Sequence, residues 1–198
     1  TGPEIINNYT KVVFKDRLDV LQTIKTKSYD EYLRTREIYP EILKLANQYY
    51  DLIFVDINKG LESEFIRNIL NDSDLVVTNI TQRLKIIDEV MELREKEKIF
   101  SRKNNMILIG RYDQYSKYTA KNIARYMGIK ESIEVIPYST LLFEACNEGK
   151  VAVFFLRFKT VDESDRNAIF IKAVRKVTDT IDYKLQELRM RMWFLRKG

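Results

Sequence analysis

From Tyr49 onward the chain repeats one pattern, a short apolar run, a turn and an amphipathic stretch at helical spacing. Leu52-Ile53-Phe54-Val55 reads as a buried strand followed by a helix near Glu62 to Leu70, and Leu75-Val76-Val77 as a second strand followed by a helix from about Gln82 to Lys98. Met106-Ile107-Leu108-Ile109 is a third, followed by a helix from about Ser116 to Met127. Ile133-Glu134-Val135-Ile136 is a fourth, followed by a helix from Thr140 to Cys146. Continuously apolar strands that alternate with helices indicate a parallel sheet covered on both faces, because each parallel connection needs a crossover long enough to hold a helix. The expected fold is α/β, a mostly parallel sheet flanked by helices.

The flanks are less regular. Val12-Val13-Phe14 and Leu18-Asp19-Val20-Leu21 read as two short strands, and Tyr29 to Gln48 as helix with a break at Pro40. Val151 to Phe158 has strand-like composition, but its place after Gly149 also suits a packed loop or a short helix. From about Ser164 the chain reads as one long helix, with Phe170, Val174, Val177, Ile181, Leu185, Leu188, Met192 and Leu195 at spacings of three and four. The natural division is an α/β body over 1–160 and a long basic amphipathic helix over 161–198. Phe170 to Ile181 is expected to cap the sheet, while the helix beyond Leu185 is long enough to outrun it.

Composition narrows the function. With 198 residues, 45% hydrophobic and 32% charged, and only six Gly and three Pro, the chain is globular rather than collagen-like or disordered. The absence of His removes Ser-His-Asp and Cys-His nucleophile systems and every His-ligated metal site. One cysteine, Cys146, allows no internal disulfide and fits a reducing, cytoplasmic compartment. A net charge of +5 permits contact with nucleic acid or anionic lipid without demanding it. Arg189, Arg191, Arg196 and Lys197 gather beyond the last acidic residue, Glu187. With Leu188, Met192, Trp193, Phe194 and Leu195 among these cations, the end has the composition of an interfacial membrane helix or a partner-docking helix. Core packing and a dimer contact remain equal alternatives for it.

Chemistry is expected at the carboxyl ends of the strands. There, Tyr50-Asp51-Leu52-Ile53-Phe54-Val55 ends in Asp56, and Gly60 follows four positions later. A carboxylate at a strand end can orient the water shell of Mg²⁺, and a glycine N–H can sense a γ-phosphate. An apolar strand ending in Asp is also common, and a glycine after a strand also serves a turn.

The order of segments resembles the later part of the MinD/ParA family of deviant P-loop ATPases, over about Leu18 to Phe158. Tyr50 to Asp56 looks like the Walker B strand, and Asp56 to Gly60 matches D-x-x-x-G. Ser73-Asp74-Leu75-Val76-Val77-Thr78-Asn79 is similar to the next strand, which ends beside the nucleotide. Ile109-Gly110-Arg111-Tyr112-Asp113 is similar to the "N-R-Y-D" strand end that approaches adenine, with Gly110 in place of Asn. Ile136-Pro137-Tyr138-Ser139 is similar to the "I-P-Y" loop, and Ala145-Cys146-Asn147-Glu148-Gly149 to the "A-x-N-x-G" helix end.

The resemblance implies ATP and Mg²⁺ as cofactors. It gives Asp56 to the metal, through water, and Asp56 and Gly60 to catalysis. Asn79, Gly110, Arg111, Tyr112, Pro137 and Tyr138 fall to the nucleotide. It also implies a homodimer that switches with nucleotide state, a partner protein in bacterial positioning, partitioning or pilus or secretion assembly, and contact with an anionic membrane. Nucleic acid ranks lower, because Glu89, Glu92, Glu95 and Glu97 alternate with Arg83, Lys85, Arg94, Lys96 and Lys98 as on a salt-bridged exposed face.

The family holds triphosphate with a K-G-G-x-G-K-S/T loop after its first strand, and no Gly-x-x-x-x-Gly-Lys run occurs in this sequence. Either the chain is the carboxy-terminal part of a longer ATPase, or another strand fills the gap. The start at Thr1-Gly2-Pro3-Glu4, without Met, favours the first. Hydrolysis is expected if the loop is supplied by a longer chain. Otherwise the fold serves as a non-catalytic scaffold or adaptor.

Overall fold

A computed structural model of the chain describes residues 10–21, 28–58, 63–101 and 104–195. They divide into two compact units, Thr1–Asp72 and Ser73–Gly198.

In the first unit, β1 (Thr10–Phe14) and β2 (Leu18–Leu21) form the expected pair of short strands, an antiparallel hairpin. Its turn passes through Asp16 at φ 58°, a left-handed conformation that Asp tolerates, and Arg17 N–H donates to the Phe14 carbonyl at 3.0 Å. Helix α1 (Tyr29–Ala46) runs through Pro40, where a break was expected. Pro40 is exposed, so water can satisfy the carbonyl that its ring leaves without a helical donor. The Tyr50 hydroxyl donates to the Asp19 carboxylate at 2.7 Å, and burial together with this bond raises the phenol above its ordinary pKa. Helix α2 (Glu64–Asp72) brings Phe65 against Tyr39 at 6.1 Å between ring centroids.

The apolar run Leu52-Ile53-Phe54-Val55 is not a strand. It has no ladder partner among the described residues, and Leu52, Phe54 and Val55 are 48%, 75% and 43% exposed. Strand formation needs a neighbour to take its N–H and C=O groups, and apolar composition cannot supply one.

The second unit realises the other three repeats. Its elements are β3 (Val76–Ile80), α3 (Leu84–Lys96), β4 (Asn105–Tyr112), α4 (Ala120–Tyr126), β5 (Glu134–Pro137), α5 (Thr140–Asn147), α6 (Val151–Arg157) and α7 (Ala168–Leu195). The strands lie in the order β3-β4-β5, all parallel, with Ile80 opposite Ile109 and Ile109 opposite Val135. On one face, Ile80, Ile107, Ile109 and Ile133 pack with Ile87 of α3 and Ile123 of α4. Ile87 and Ile109 are wholly buried, and each such side chain contributes about 1.5–3 kcal/mol. Thr119 and Ser139 cap α4 and α5 by accepting from Asn122 N–H and Leu142 N–H, both at 3.2 Å. Gly128 (φ 65°) and Gly149 (φ 68°) stop the same helices in the left-handed conformation. Lys85–Glu89 and Lys96–Glu92 ion pairs at 4.0 and 3.2 Å line the exposed side of α3, as its charge pattern predicts.

Opposite the isoleucine layer, Ile136 of β5 meets Phe154, Phe158, Phe170 and Ile171. Val151 to Phe158, left open by its composition, contains helix α6. Phe154 and Phe158, four residues apart, put both buried rings on one helical face. Helix α7, about 42 Å long at 1.5 Å per residue, caps this face with Phe170, Ile171 and Val174. Val177 is its last buried hydrophobic residue among those described. The buried Glu134 carboxylate on β5 pairs with Lys176 Nζ of α7 at 2.8 Å.

Removing Lys176 leaves a buried carboxylate without its counter-charge. Because the lysine itself is mostly exposed, Lys176→Ala is expected to lower unfolding free energy in urea by about 1–3 kcal/mol, and adding Glu134→Gln to restore part of it.

Candidate functional site

Because β3, β4 and β5 are parallel, their carboxyl ends lie along one edge, which brings together Asn79, the segment Gly110 to Asp113, and Pro137 with Tyr138. Side chains alternate across a strand, and Ile80 and Ile109 point into the isoleucine layer. Asn79 and Gly110 therefore belong to the opposite face. Asn79 is exposed there, and a Cβ placed on Gly110 would stand 2.9 Å from Asn79 Oδ1.

The ladder between β4 and β5 shifts register between Ile109 and Tyr112, and within that shift Arg111 sits at φ 53°. A left-handed non-glycine residue costs roughly 1–2 kcal/mol. The bend turns Tyr112 back toward the isoleucine layer, where its hydroxyl accepts from Ala120 N–H at 3.4 Å at the start of α4. Arg111 is left exposed. Tyr112, a candidate for bordering a base, is thus used to hold α4. Tyr138 remains 52% exposed just past β5, its ring tilted on Phe143 at 6.4 Å. Pro137 pairs opposite Tyr112 in the ladder.

Two further groups escape a reading of the sequence. Gln82, just beyond β3, donates from Nε2 to the carbonyls of Asp113 (3.1 Å) and Tyr118 (2.8 Å), and its Oε1 accepts from Asp113 N–H at 2.7 Å. It clamps the loop after β4 through backbone groups 31 and 36 residues away, which no local pattern announces. Thr81 Oγ1 is buried and has no hydrogen-bond partner among the described residues.

Asp56 lies in the first unit, exposed, and Gly60 lies outside the described residues. Leu188, Met192, Trp193, Phe194 and Leu195 lie on α7, with Trp193 53% exposed, and Arg196 lies outside the described residues. No group of three acidic or cysteine side chains converges on a metal site among the described residues. One carboxylate such as Asp56 is compatible with Mg²⁺, which retains waters and takes most of its other ligands from phosphates. The strand ends thus carry a carboxamide on β3, an exposed arginine at the bend in β4 and an exposed tyrosine ring after β5.

Gln82→Ala is expected to cost about 1–2 kcal/mol in unfolding free energy and to speed amide hydrogen exchange at Asp113, because three bonds to one loop are lost together. Unchanged exchange at Asp113 would show that the loop is held otherwise.

No protein-family model and no curated relative matches the chain. Solved structures do. A ParA family ATPase from Chlorobium tepidum TLS superposes with a TM-score of 0.67 at 16% identity, covering 93% of this chain and 70% of that one. The cell division ATPase MinD from Pyrococcus furiosus gives 0.63 at 17% identity, covering 88% and 71%. The parallel sheet flanked by helices, with its long last helix, therefore has the fold shared by ParA and MinD ATPases.

Proposed function

We propose that the chain is a ParA/MinD-like ATPase module, a nucleotide-dependent dimerisation switch in bacterial positioning, partitioning, or pilus or secretion assembly. The observation that carries this reading is the fold likeness over 93% of the chain, joined to a carboxyl edge that presents Asn79, Arg111 and Tyr138 rather than burying them. In this reading ATP and Mg²⁺ are the cofactors, Asp56 orders the metal's water shell, and Gly60 reports the γ-phosphate. Gly110, Arg111, Pro137 and Tyr138 border the base, and Tyr112 supports them from beneath. In this reading the strand ends take the base, so the chain is expected to bind nucleotide by itself, and hydrolysis to require a Gly-rich loop from a longer chain.

The last turns of α7 are proposed to meet a partner protein or an anionic membrane from the cytoplasmic side, through Leu188, Met192, Trp193, Phe194, Leu195 and Arg196. Support comes from the exposure of Met190 and Trp193 and from the local excess of cations. No helix among the described residues is long and apolar enough to cross a membrane. Nucleic acid ranks lower, since the lysines at 85 and 96 are already paired with glutamates.

A second reading, a non-catalytic scaffold with the same fold, is favoured by the lack of any Gly-x-x-x-x-Gly-Lys run in the sequence. Titration calorimetry separates the two. The ATPase reading expects binding of Mg²⁺·ATP that Asp56→Ala weakens about tenfold, the equivalent of 1.4 kcal/mol. A folded chain that gives no heat with ATP supports the scaffold. Deleting residues 188–198 is expected to abolish sedimentation with phosphatidylglycerol vesicles while leaving the circular dichroism of the body unchanged. Retention of sedimentation would exclude that segment as the anchor.

A further inference from the structure

We propose that the groove between α3 and α4 is a docking site for an acidic amphipathic helix of a partner protein. It lies on the isoleucine-layer side of the sheet, opposite the face that carries Asn79 and Gly110, and nothing in it calls for a nucleotide.

The groove has a volume of about 370 Å³, comparable to a small ligand pocket. Ile87 of α3 and Ile123 of α4, both buried, form its base, and Leu84, Tyr118 and Tyr126 its sides. Leu84 is 42% exposed and Tyr126 54%. Leu84, Ile87 and Met91 recur at i, i+3 and i+7, so the apolar stripe that seats α3 on the sheet continues past the core into the groove. At one end the Tyr126 hydroxyl donates to the Asp88 carboxylate at 2.8 Å, which ties α4 to α3. Near the start of α4, Gln82 Nε2 donates to the Tyr118 carbonyl at 2.8 Å and Asn122 Nδ2 to the Lys117 carbonyl at 3.0 Å. Hydrogen bonds therefore join both helices and the loop before α4 around an apolar recess that their own side chains leave open.

Charge selects the occupant. On α3, Lys85 and Lys96 are paired with Glu89 and Glu92 of the same helix. On the α4 side, Lys117, Lys121 and Arg125 are exposed and have no ion-pair partner among the described residues. The sequence has no carboxylate side chain between Asp113 and Glu131 to balance them. Lys117 lines the groove itself, with Nζ 5.3 Å from the centroid of the Tyr118 ring, and the Asp88 carboxylate opposite is engaged by Tyr126. An apolar recess beside unpaired cations fits a helix that lays leucine-like side chains into the groove and sets carboxylates along Lys117 and its neighbours.

The same charges disfavour two other occupants. A second copy would offer the exposed Met190 and Trp193 of α7, but these stand among Arg189 and Arg191, so cations would meet cations. An anionic bilayer would reach the lysines, but its flat face does not fill a recess based on Ile87 and Ile123.

The test is a methyl-resolved NMR titration of the full chain with a synthetic helical peptide that carries leucines on one face and glutamates on the other. A second peptide has lysines in place of the glutamates. The acidic peptide is expected to shift the methyls of Leu84, Ile87 and Ile123 and to leave Ile171, on the far face of the sheet, in place. Lys117→Glu, an exposed substitution, is expected to weaken the acidic peptide about tenfold and to strengthen the lysine peptide. Leu84→Ala is expected to weaken the acidic peptide with the charges intact. The proposal is overturned if the acidic peptide shifts no groove methyl of the folded chain, if both peptides bind alike, or if Lys117→Glu leaves the affinities unchanged. Movement of the same methyls with protein concentration alone, or with phosphatidylglycerol vesicles and not with the acidic peptide, would overturn it in favour of a second copy or a lipid surface.

Discussion

The isoleucine layer between the sheet and helices α3 and α4 is the constraint from which the rest of the second unit follows. Ile109 at the centre of β4 and Ile87 on α3 have no solvent exposure, and Ile80, Ile107, Ile123 and Ile133 close around them. Burying that many branched side chains fixes the register of all three strands, because a one-residue slip would turn each to the opposite face. Register in turn fixes the edge. Once Ile80 lies opposite Ile109, Asn79 and Gly110 must face the other way and the strand ends must line up. Helices α5, α6 and α7 cover the second face over β5, through Ile136 and the phenylalanine cluster. At β3, Val77 and Asn79 on that face are exposed.

The bend at Arg111 shows local strain serving two tasks. A regular strand would place Tyr112 on the same face as Gly110. The register shift instead returns the ring to the isoleucine layer, where its hydroxyl meets the start of α4, and leaves Arg111 at the surface. The loop that follows is then tied to the end of β3 by Gln82. Two adjacent strand ends are thereby joined through a side chain.

Much of this was legible in the sequence. Three apolar runs with helices after them became β3, β4 and β5 with α3, α4 and α5, because each run found a parallel neighbour that its own pattern implied. Leu52 to Val55 has the same composition and did not, since a ladder depends on a second strand and composition describes only the first. Pro40 was misleading because a proline is tolerated inside a helix where its lost hydrogen bond faces water. Val151 to Phe158 has β-like composition, but the i,i+4 spacing of Phe154 and Phe158 fits a helix over the second face better. For the candidate site, the placement of Asn79, Arg111 and Tyr138 at strand ends came from the family resemblance, and their exposure comes from the structure. The contact of Asn79 with Gly110, the inward turn of Tyr112 and the clamp by Gln82 did not come from the resemblance, because they depend on residues far apart in sequence and on one backbone dihedral.

The central claim is that the carboxyl edge of the three-stranded sheet receives a nucleotide. Hydrogen–deuterium exchange of the whole chain, with and without Mg²⁺·ATP, tests it most directly, because it reads each strand end separately. Slower exchange at 79–82, 110–113 and 137–139, with the core of β4 unchanged, is the expected result. Exchange that is identical at all three segments in a folded chain under saturating ATP would contradict it.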